Sequence, residues 1–144
     1  MFQTRACDLL KNTNQLFSSA QCLGYFNEHG QATKEMCSPS DNEVYSKVET
    51  AVRSVQALSV FVASDNDHMI DKLQKYLTSR IKSFKKVIQL NRQNPHLDLA
   101  IMGRSSVFVG NCISSFSAFV KRERDVKELP TLFFGFPKQK HDEL

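Results

Sequence analysis

Two adjacent serines, Ser114 and Ser115, are the side chains in this sequence best placed to bind an anion. They follow the apolar run 107–109 and the Gly110-Asn111 break, and they precede residues with apolar side chains at helical spacing. A strand that leads into a helix through small polar residues gathers backbone N–H groups and hydroxyls at one point, which suits a phosphate. An ordinary strand–helix connection without a ligand fits the same local pattern, and such connections far outnumber phosphate sites.

Acidic side chains at two other positions could also carry chemistry. Asp65 and Asp67 form an Asp-x-Asp pair, which holds a divalent cation in some nucleotide-sugar transferases. At a strand-to-helix turn such residues more often cap the helix, and we favour the cap. Asp98 stands near a predicted helix start, where it could accept a hydrogen bond from a base or a ribose hydroxyl, or serve the helix dipole.

Several other kinds of site are disfavoured by the sequence. The serine turn is not Gly-x-Ser-x-Gly, so a nucleophilic serine is not indicated. The glycine fingerprints for dinucleotides and for the P-loop are absent. No metal-ligand spacing relates the four histidines, which are His29, His68, His96 and His141.

The C-terminal tetrapeptide His141-Asp142-Glu143-Leu144 is a retrieval signal for soluble proteins of the endoplasmic reticulum. A lumenal protein needs a signal peptide, and the residues after Met1 contain no apolar core of one. We therefore expect the chain to be the C-terminal part of a longer protein or the product of a truncated gene model. The four cysteines, Cys7, Cys22, Cys37 and Cys112, then suggest two disulfides among three possible pairings. Zinc is less favoured, because no Cys-x-x-Cys spacing occurs.

The elements that must position these residues alternate along the chain. Helices are predicted at 4–16, 40–57, 68–80, 97–103 and from Ser114, and strands at 59–63, 86–90 and 107–109. Residues 17–39 are read as a loop fixed by disulfides, and the helix 97–103 is chosen over a strand. Phe116, Phe119 and Val120 should form the apolar face of the last helix, and the tail phenylalanines should pack back on the domain.

This order predicts an α/β fold with a doubly wound parallel sheet in one domain. Ligands bind such sheets beyond the carboxyl ends of the strands, where 64–65, 90–98 and 110–116 should meet. The net charge of +4 is spread over several segments, with no basic stripe interleaved with aromatics, so nucleic-acid binding is not indicated. No apolar run approaches the length of a membrane span.

A long stretch of this sequence resembles a known enzyme family. Residues 108–125, Phe-Val-Gly-Asn-Cys-Ile-Ser-Ser-Phe-Ser-Ala-Phe-Val-Lys-Arg-Glu-Arg-Asp, closely resemble the C-terminal signature of the protein O-fucosyltransferases that modify EGF-like repeats. Phe133-Phe134-Gly135 and the retrieval signal match the tail of the same family. Further matches at 6–7, 21–25, 36–37, 52–54 and 59–63 extend the resemblance over nearly the whole chain.

The resemblance implies a GT-B glycosyltransferase with two Rossmann-like domains facing a cleft. Residues 1–137 would be the C-terminal domain that binds the donor GDP-fucose, and 138–144 a tail with the retrieval signal; the N-terminal domain would be absent. The enzymes resembled transfer fucose with inversion to Ser or Thr of EGF-like repeats, as in Notch-type receptors, and need no metal or other cofactor. They act in the endoplasmic reticulum lumen, where a KDEL-type receptor would read the tail.

The resemblance also assigns individual residues. Asp98 matches a nucleotide-contacting acid, and Ser114, Ser115 and Phe116 match the donor-binding stretch. The family pattern of disulfides corresponds to Cys7–Cys37 and Cys22–Cys112. The His-Leu-Arg motif, whose arginine assists departure of GDP in the family, does not occur in this chain.

We therefore assign no catalytic residue here and expect little or no transferase activity from the chain alone. The alternatives from other classes are a non-catalytic lumenal nucleotide-binding module and a chaperone-like interaction domain.

Overall fold

The computed structural model of this protein describes residues 23, 26, 28–30, 33–64, 67–91 and 94–136. The predicted helix 4–16 and the tail 138–144 lie outside the described residues. The helices are α1 (Lys34–Cys37), α2 (Asp41–Ser54), α3 (Ile70–Arg80), α4 (Pro95–Arg104) and α5 (Ser115–Asp125). The strands are β1 (Ser59–Phe61), β2 (Lys86–Ile88), β3 (Phe108–Gly110) and β4 (Thr131–Phe133).

The strands form two parallel ladders among the described residues, β1 with β2 and β3 with β4. Val60 pairs with Val87 in the first ladder, and Val109 pairs with Leu132 in the second. Each of the three strands predicted from the sequence is present, at three residues rather than three to five. The parallel direction fits the helices that connect the paired strands, α3 between β1 and β2 and α5 between β3 and β4.

A cluster of buried apolar side chains joins α2 and α3 to the first ladder. Its members are Val48, Val52, Leu73, Leu77, Phe84 and Val87. The predicted face of α2 is confirmed in Val48, Ala51 and Val52, all buried. Helix α2 ends at Ser54 rather than near Ala57, because Gln56 adopts a left-handed backbone (φ 51°) and breaks the helical hydrogen bonding.

The start of α3 differs from the prediction. The helix begins at Ile70 instead of His68, and its N-cap residue, Met69, has a left-handed backbone with no side-chain cap. Asp67 does not cap the helix either: its Oδ1 accepts a hydrogen bond from Met69 N at 2.9 Å and closes a turn before it. The capping role predicted for this acidic segment is therefore wrong at Asp67, and Asp65 lies outside the described residues.

Strand β4 was not predicted. It pairs with β3 in the stretch where only packed phenylalanines were expected, and Phe108 N donates to Pro130 O at 3.3 Å where the pairing begins. The expected packing is confirmed for Phe133 and Phe136, which lie against a second cluster of buried residues. That cluster contains Leu23, Met36, Cys37, Cys112 and Ile113.

The turn after β4 is held by helix α2. Glu43 Oε1 accepts from Gly135 N at 2.8 Å, and Lys47 Nζ donates to Phe136 O at 3.0 Å. Gly135 has φ +78°, and a Cβ there would lie 2.5 Å from Met36 N. Only glycine fits this close approach. The turn therefore contacts both α1 and α2 and connects them to the second ladder.

Two segments, residues 34–37 and the buried face of α5, differ from the prediction. Residues 34–37, inside the predicted loop, form helix α1, whose N-cap Thr33 accepts from Met36 N. In α5 the buried side chains are Ser117, Ala118, Val120 and Arg124, and the predicted core residue Phe119 is 61% exposed. Arg122 lies over the Phe119 ring, with its Cζ 5.6 Å from the ring centroid, so this aromatic belongs to the surface.

Arg124 joins three elements at one point. The side chain is fully buried, and its Nη1 donates to Met102 O and Ser105 O at 3.0 and 2.6 Å. Its Nη2 donates to Ser106 O and Pro130 O, the residues that precede β3 and β4. The guanidinium therefore closes the C-terminal end of α4 and fixes where the second ladder begins.

Helices α4 and α5 pack against each other. A Cβ at Gly103 of α4 would lie 2.5 Å from the Glu123 side chain of α5, so the C-terminal ends of the helices are in close contact. Within the described residues, no helix is both long and apolar enough to cross a membrane.

Candidate functional site

The turn between β3 and α5 is organised by Asn111, which is buried and uses all four of its polar groups. Its backbone N–H donates to Ser117 Oγ at 3.1 Å, and its carbonyl accepts from Ser114 N at 3.1 Å. Its side chain accepts from Ile113 N and donates from Nδ2 to Cys37 O, both at 2.9 Å. These hydrogen bonds tie the turn to α1 on one side and to α5 on the other.

The predicted anion-binding residues lie at the start of α5. Ser114 is the N-cap, and its Oγ accepts from Ser117 N at 3.3 Å, which decides between two serines that could each have capped the helix. Ser115 is the first helical residue and is exposed, and Phe116 beside it is half-buried. The first turn of α5 contains no acidic side chain, so its N–H groups and the Ser115 hydroxyl offer an anion an unopposed positive end.

Cysteines flank this turn on both sides. Cys37, which accepts from Asn111, and Cys112, which follows it, are both buried and disulfide-bonded. The pairing Cys7–Cys37 and Cys22–Cys112 stays a prediction, because Cys7 and Cys22 lie outside the described residues. Disulfides at these two positions add covalent ties to the hydrogen bonds that hold the turn.

Asp98 follows β2, a strand of the first ladder. It belongs to the first turn of α4, which Asn94 caps by accepting from Leu97 N at 3.1 Å and which Pro95 begins. A cavity of about 210 Å³ beyond the ends of β1 and β2 is lined by Val62, Ser64, His68, Gln89, Leu90, Asn91 and Asp98. Burial raises the pKa of the Asp98 carboxyl, and the nearby His68 opposes that shift.

A second cavity, of about 490 Å³, adjoins the first and shares His68 and Gln89 with it. Its other lining residues are Asp67, Met69, Ile70, Asp71 and Lys72, from the start of α3. The lining of the two cavities combines carboxylates, amides and an imidazole, a set that can hydrogen-bond both to a base and to hydroxyl groups.

The predicted site residues therefore form two groups. Ser114, Ser115 and Phe116 follow β3, and Asp98 follows β2, each at the carboxyl end of its strand. Helices α4 and α5, which carry the two groups, pack together, and both groups follow the carboxyl ends of parallel strands, where ligands bind such folds. Within the described residues, no group of three His, Cys, Asp or Glu side chains could hold a metal ion.

Sequence reasoning missed the residues that shape these sites. Asn111 appeared only as a strand breaker, although an Asn that follows a strand often turns the backbone through its side chain. Ser117 and His68 received no role, because the first is a small residue on a helix face and the second shows no ligand spacing. Nothing in the sequence indicated a role for Gln89. It lines both cavities only because of how β2 and α3 pack together.

Comparison with known protein families shows which family this sequence resembles. The model of the family described as GDP-fucose protein O-fucosyltransferase matches residues 1–127. The chain is 45% identical over 139 residues to GDP-fucose protein O-fucosyltransferase 1 of Caenorhabditis elegans, which covers 91% of this chain and 34% of that protein. This chain therefore spans about a third of the length of that relative.

Solved structures give the same result. A crystal structure of POFUT1 in complex with GDP-fucose matches with a TM-score of 0.82 and 39% identity, over 92% of this chain and 39% of that one. One of POFUT1 with GDP matches with a TM-score of 0.81 and 40% identity, over 91% and 40%. The likeness confirms the predicted fold class, Rossmann-like parallel strands flanked by helices as in a GT-B glycosyltransferase. The chain belongs to the GDP-fucose protein O-fucosyltransferase family.

Proposed function

We propose that this chain is the donor-binding portion of a protein O-fucosyltransferase and that it binds GDP-fucose along the edge formed by α4 and α5. The observation that carries the proposal is the likeness to POFUT1 in complex with GDP-fucose, at 39% identity over 92% of this chain. The geometry supports it, because a dipole-positive helix start follows β3 and a carboxylate-lined cavity lies beyond the ends of β1 and β2.

Each group of residues has its own part in this proposal. The N–H groups at the start of α5 and the Ser115 hydroxyl bind the diphosphate, whose negative charge the helix dipole favours. Asp98 accepts hydrogen bonds from the base or the ribose in the smaller cavity. Phe116, half-buried beside the serines, packs against the donor and excludes water from it.

The reaction proposed for the whole protein is transfer of fucose with inversion to Ser or Thr of a folded EGF-like repeat. The donor portion holds the diphosphate, on which negative charge develops as it departs, and no metal is required. A cation close to that charge stabilises the transition state. Because the chain contains no His-Leu-Arg motif, we infer that it binds the donor but transfers little or no fucose on its own.

Calorimetric titration of the chain with GDP tests donor binding. We expect saturable binding that Ser115→Ala and Asp98→Asn weaken, and weaker binding of UDP. Absence of saturable GDP binding, with both substitutions silent, would favour a chaperone-like interaction domain. Assay of fucose transfer to a folded EGF-like repeat tests the second part, and robust turnover by the chain alone would refute it.

A further inference from the structure

The position of His68 is fixed by the turn that contains it. Met69, the next residue, has a left-handed backbone (φ 52°), and Asp67 accepts a hydrogen bond from Met69 N at 2.9 Å. From this turn the half-buried imidazole lines both cavities, the smaller one together with Asp98. The turn closed by Asp67 and Met69 places His68 at the junction of the two cavities.

In the described part of the chain, His68 is the only group of opposite charge that acts on the Asp98 carboxylate. The carboxylate takes part in no hydrogen bond or ion pair there. Burial raises the pKa of Asp98, which favours the protonated acid, and the imidazolium form of His68 acts in the opposite direction. The two side chains therefore share one electrostatic environment without touching.

Four other titratable groups stand on the packed elements around this pair, and none of them lines the smaller cavity with Asp98. The groups on the packed elements are Asp67, Asp71, Lys72 and His96. Asp67 accepts from Met69 N, and Lys72 pairs with Asp41 at 3.0 Å. Asp71 lines the larger cavity, and His96 is exposed in the first turn of α4 and lines neither cavity.

We propose that His68 is a positioning residue of the donor site, which keeps the Asp98 carboxylate ionised so that it can accept hydrogen bonds from the nucleotide. The inference rests on the proposed binding of the donor at Asp98 and adds a residue to it. A carboxylate accepts from N–H and O–H donors at both oxygens, whereas the protonated acid has lost part of that capacity. Nucleotide binding should therefore depend on the charge of His68 in mildly acidic solution.

The experiment measures GDP affinity of the full chain at pH 5.5 and pH 8, together with the titration of the Asp98 carboxyl by carbon NMR. His68→Gln removes the charge and keeps a polar side chain, and His68→Asn provides a second variant if the first folds poorly. His96→Gln is the matched control, since it removes a histidine from the same helix turn as Asp98. Thermal unfolding verifies that each variant is folded.

We expect His68→Gln to bind GDP about threefold more weakly at pH 5.5, as for a weak charge–charge interaction at a partly exposed site. At pH 8, where histidines are generally neutral, affinity should match that of the unaltered chain. The Asp98 midpoint should rise in His68→Gln and stay unchanged in His96→Gln. An unchanged Asp98 midpoint with equal affinities at both pH values would overturn the inference. If the unaltered chain binds no GDP, the proposed function fails, and the NMR midpoint alone decides the role of His68.

Discussion

Ser114 and Ser115 are neighbours in sequence but differ in what they contact. The Ser114 hydroxyl accepts from Ser117 N and completes the start of α5, whereas Ser115 is exposed in the first turn. The first serine therefore contributes to folding as well as to the proposed site, and the second is free of a capping role. Substitution of each serine can therefore separate the two functions, because only Ser114 caps the helix while the two side chains have the same size.

The first prediction compares Ser114→Ala with Ser115→Ala. Loss of the cap in Ser114→Ala should lower the free energy of unfolding by about 1 kcal/mol. Ser115→Ala should change it by less than about 0.5 kcal/mol and still weaken GDP binding up to about tenfold, the effect of one hydrogen bond to a charged group. Urea unfolding and calorimetry measure the two quantities. Equal losses of stability in both variants would show that the cap assignment is wrong.

The second prediction concerns Asp98 and pH. Burial raises the pKa of this carboxyl in the folded chain, so the native state binds the proton more tightly than the unfolded state does. The contribution of Asp98 to stability is therefore most favourable at low pH and declines as the pH rises through the raised pKa. Asp98→Asn should thus gain thermal stability relative to the unaltered chain between pH 4 and pH 7, while it loses affinity for GDP.

Scanning calorimetry across that pH range makes the comparison. Asp125→Asn is the control, because Asp125 is exposed in the last turn of α5 and pairs with Lys121. A stability difference for Asp98→Asn that does not change with pH would contradict the assigned environment of the carboxyl.

At the scale of elements, the sequence predicted what local pattern can encode. The α2 face, the choice of helix for 97–103 and a helix start at the two serines were readable from spacing and capping residues, although the sequence did not decide which serine is the cap. Strand β4 was not, because three residues between Pro130 and the Phe134-Gly135 turn are too short to show a period. Pairing with β3, which is distant in sequence, makes that segment a strand.

Arg124 illustrates the same limit within a helix. A basic residue in the last turn of an amphipathic helix usually lies in solvent near the helix dipole, and nothing in the local sequence distinguishes the buried case. The guanidinium is buried here because carbonyls from three other segments converge on it. The cavity at Asp98 is likewise unreadable from the sequence, since it exists only where the loops after β1 and β2 meet.

The third prediction is that Arg124→Met lowers the free energy of unfolding by about 3 kcal/mol or more, because it leaves several buried carbonyls without a donor. Met keeps the apolar part of the side chain, so the loss reports on the hydrogen bonds. Arg122→Met, on the exposed face of the same helix, should cost less than about 1 kcal/mol. Chemical unfolding of both variants measures the difference, and similar losses would argue against the assigned role.

At the scale of the whole molecule, each ladder packs on its own core, and each ladder carries one part of the proposed donor site. The α2–α3 cluster supports β1 and β2 and so the Asp98 cavity, and the cluster around Met36 and Cys112 supports the turn before α5. The turn after β4, held by Glu43 and Lys47, joins the second ladder to α2. Donor binding in the proposed site therefore depends on both cores at once.

The fourth prediction concerns the C-terminal residues. The chain continues for eight residues after Phe136, up to about 28 Å if fully extended, and ends in His-Asp-Glu-Leu. If the chain is directed into the secretory pathway of cultured cells by an added signal peptide, we expect it to be retained, and deletion of 141–144 should release it into the medium. Immunoblotting of cells and medium compares the two forms. A chain with the four residues in scrambled order is the control, and retention of that form would count against the signal.

The four hydrogen bonds of Asn111 have a consequence for which substitutions the protein can tolerate. Aspartate would keep the acceptor for Ile113 N but lose the donor to Cys37 O, and leucine would lose both. Glutamine carries both groups on a side chain one methylene longer, in a site only 5% exposed. A library that samples all twenty residues at this position should therefore return asparagine almost alone after selection for folding. The exposed Ser115, four residues away, should accept most replacements in the same selection and few in a selection for GDP binding.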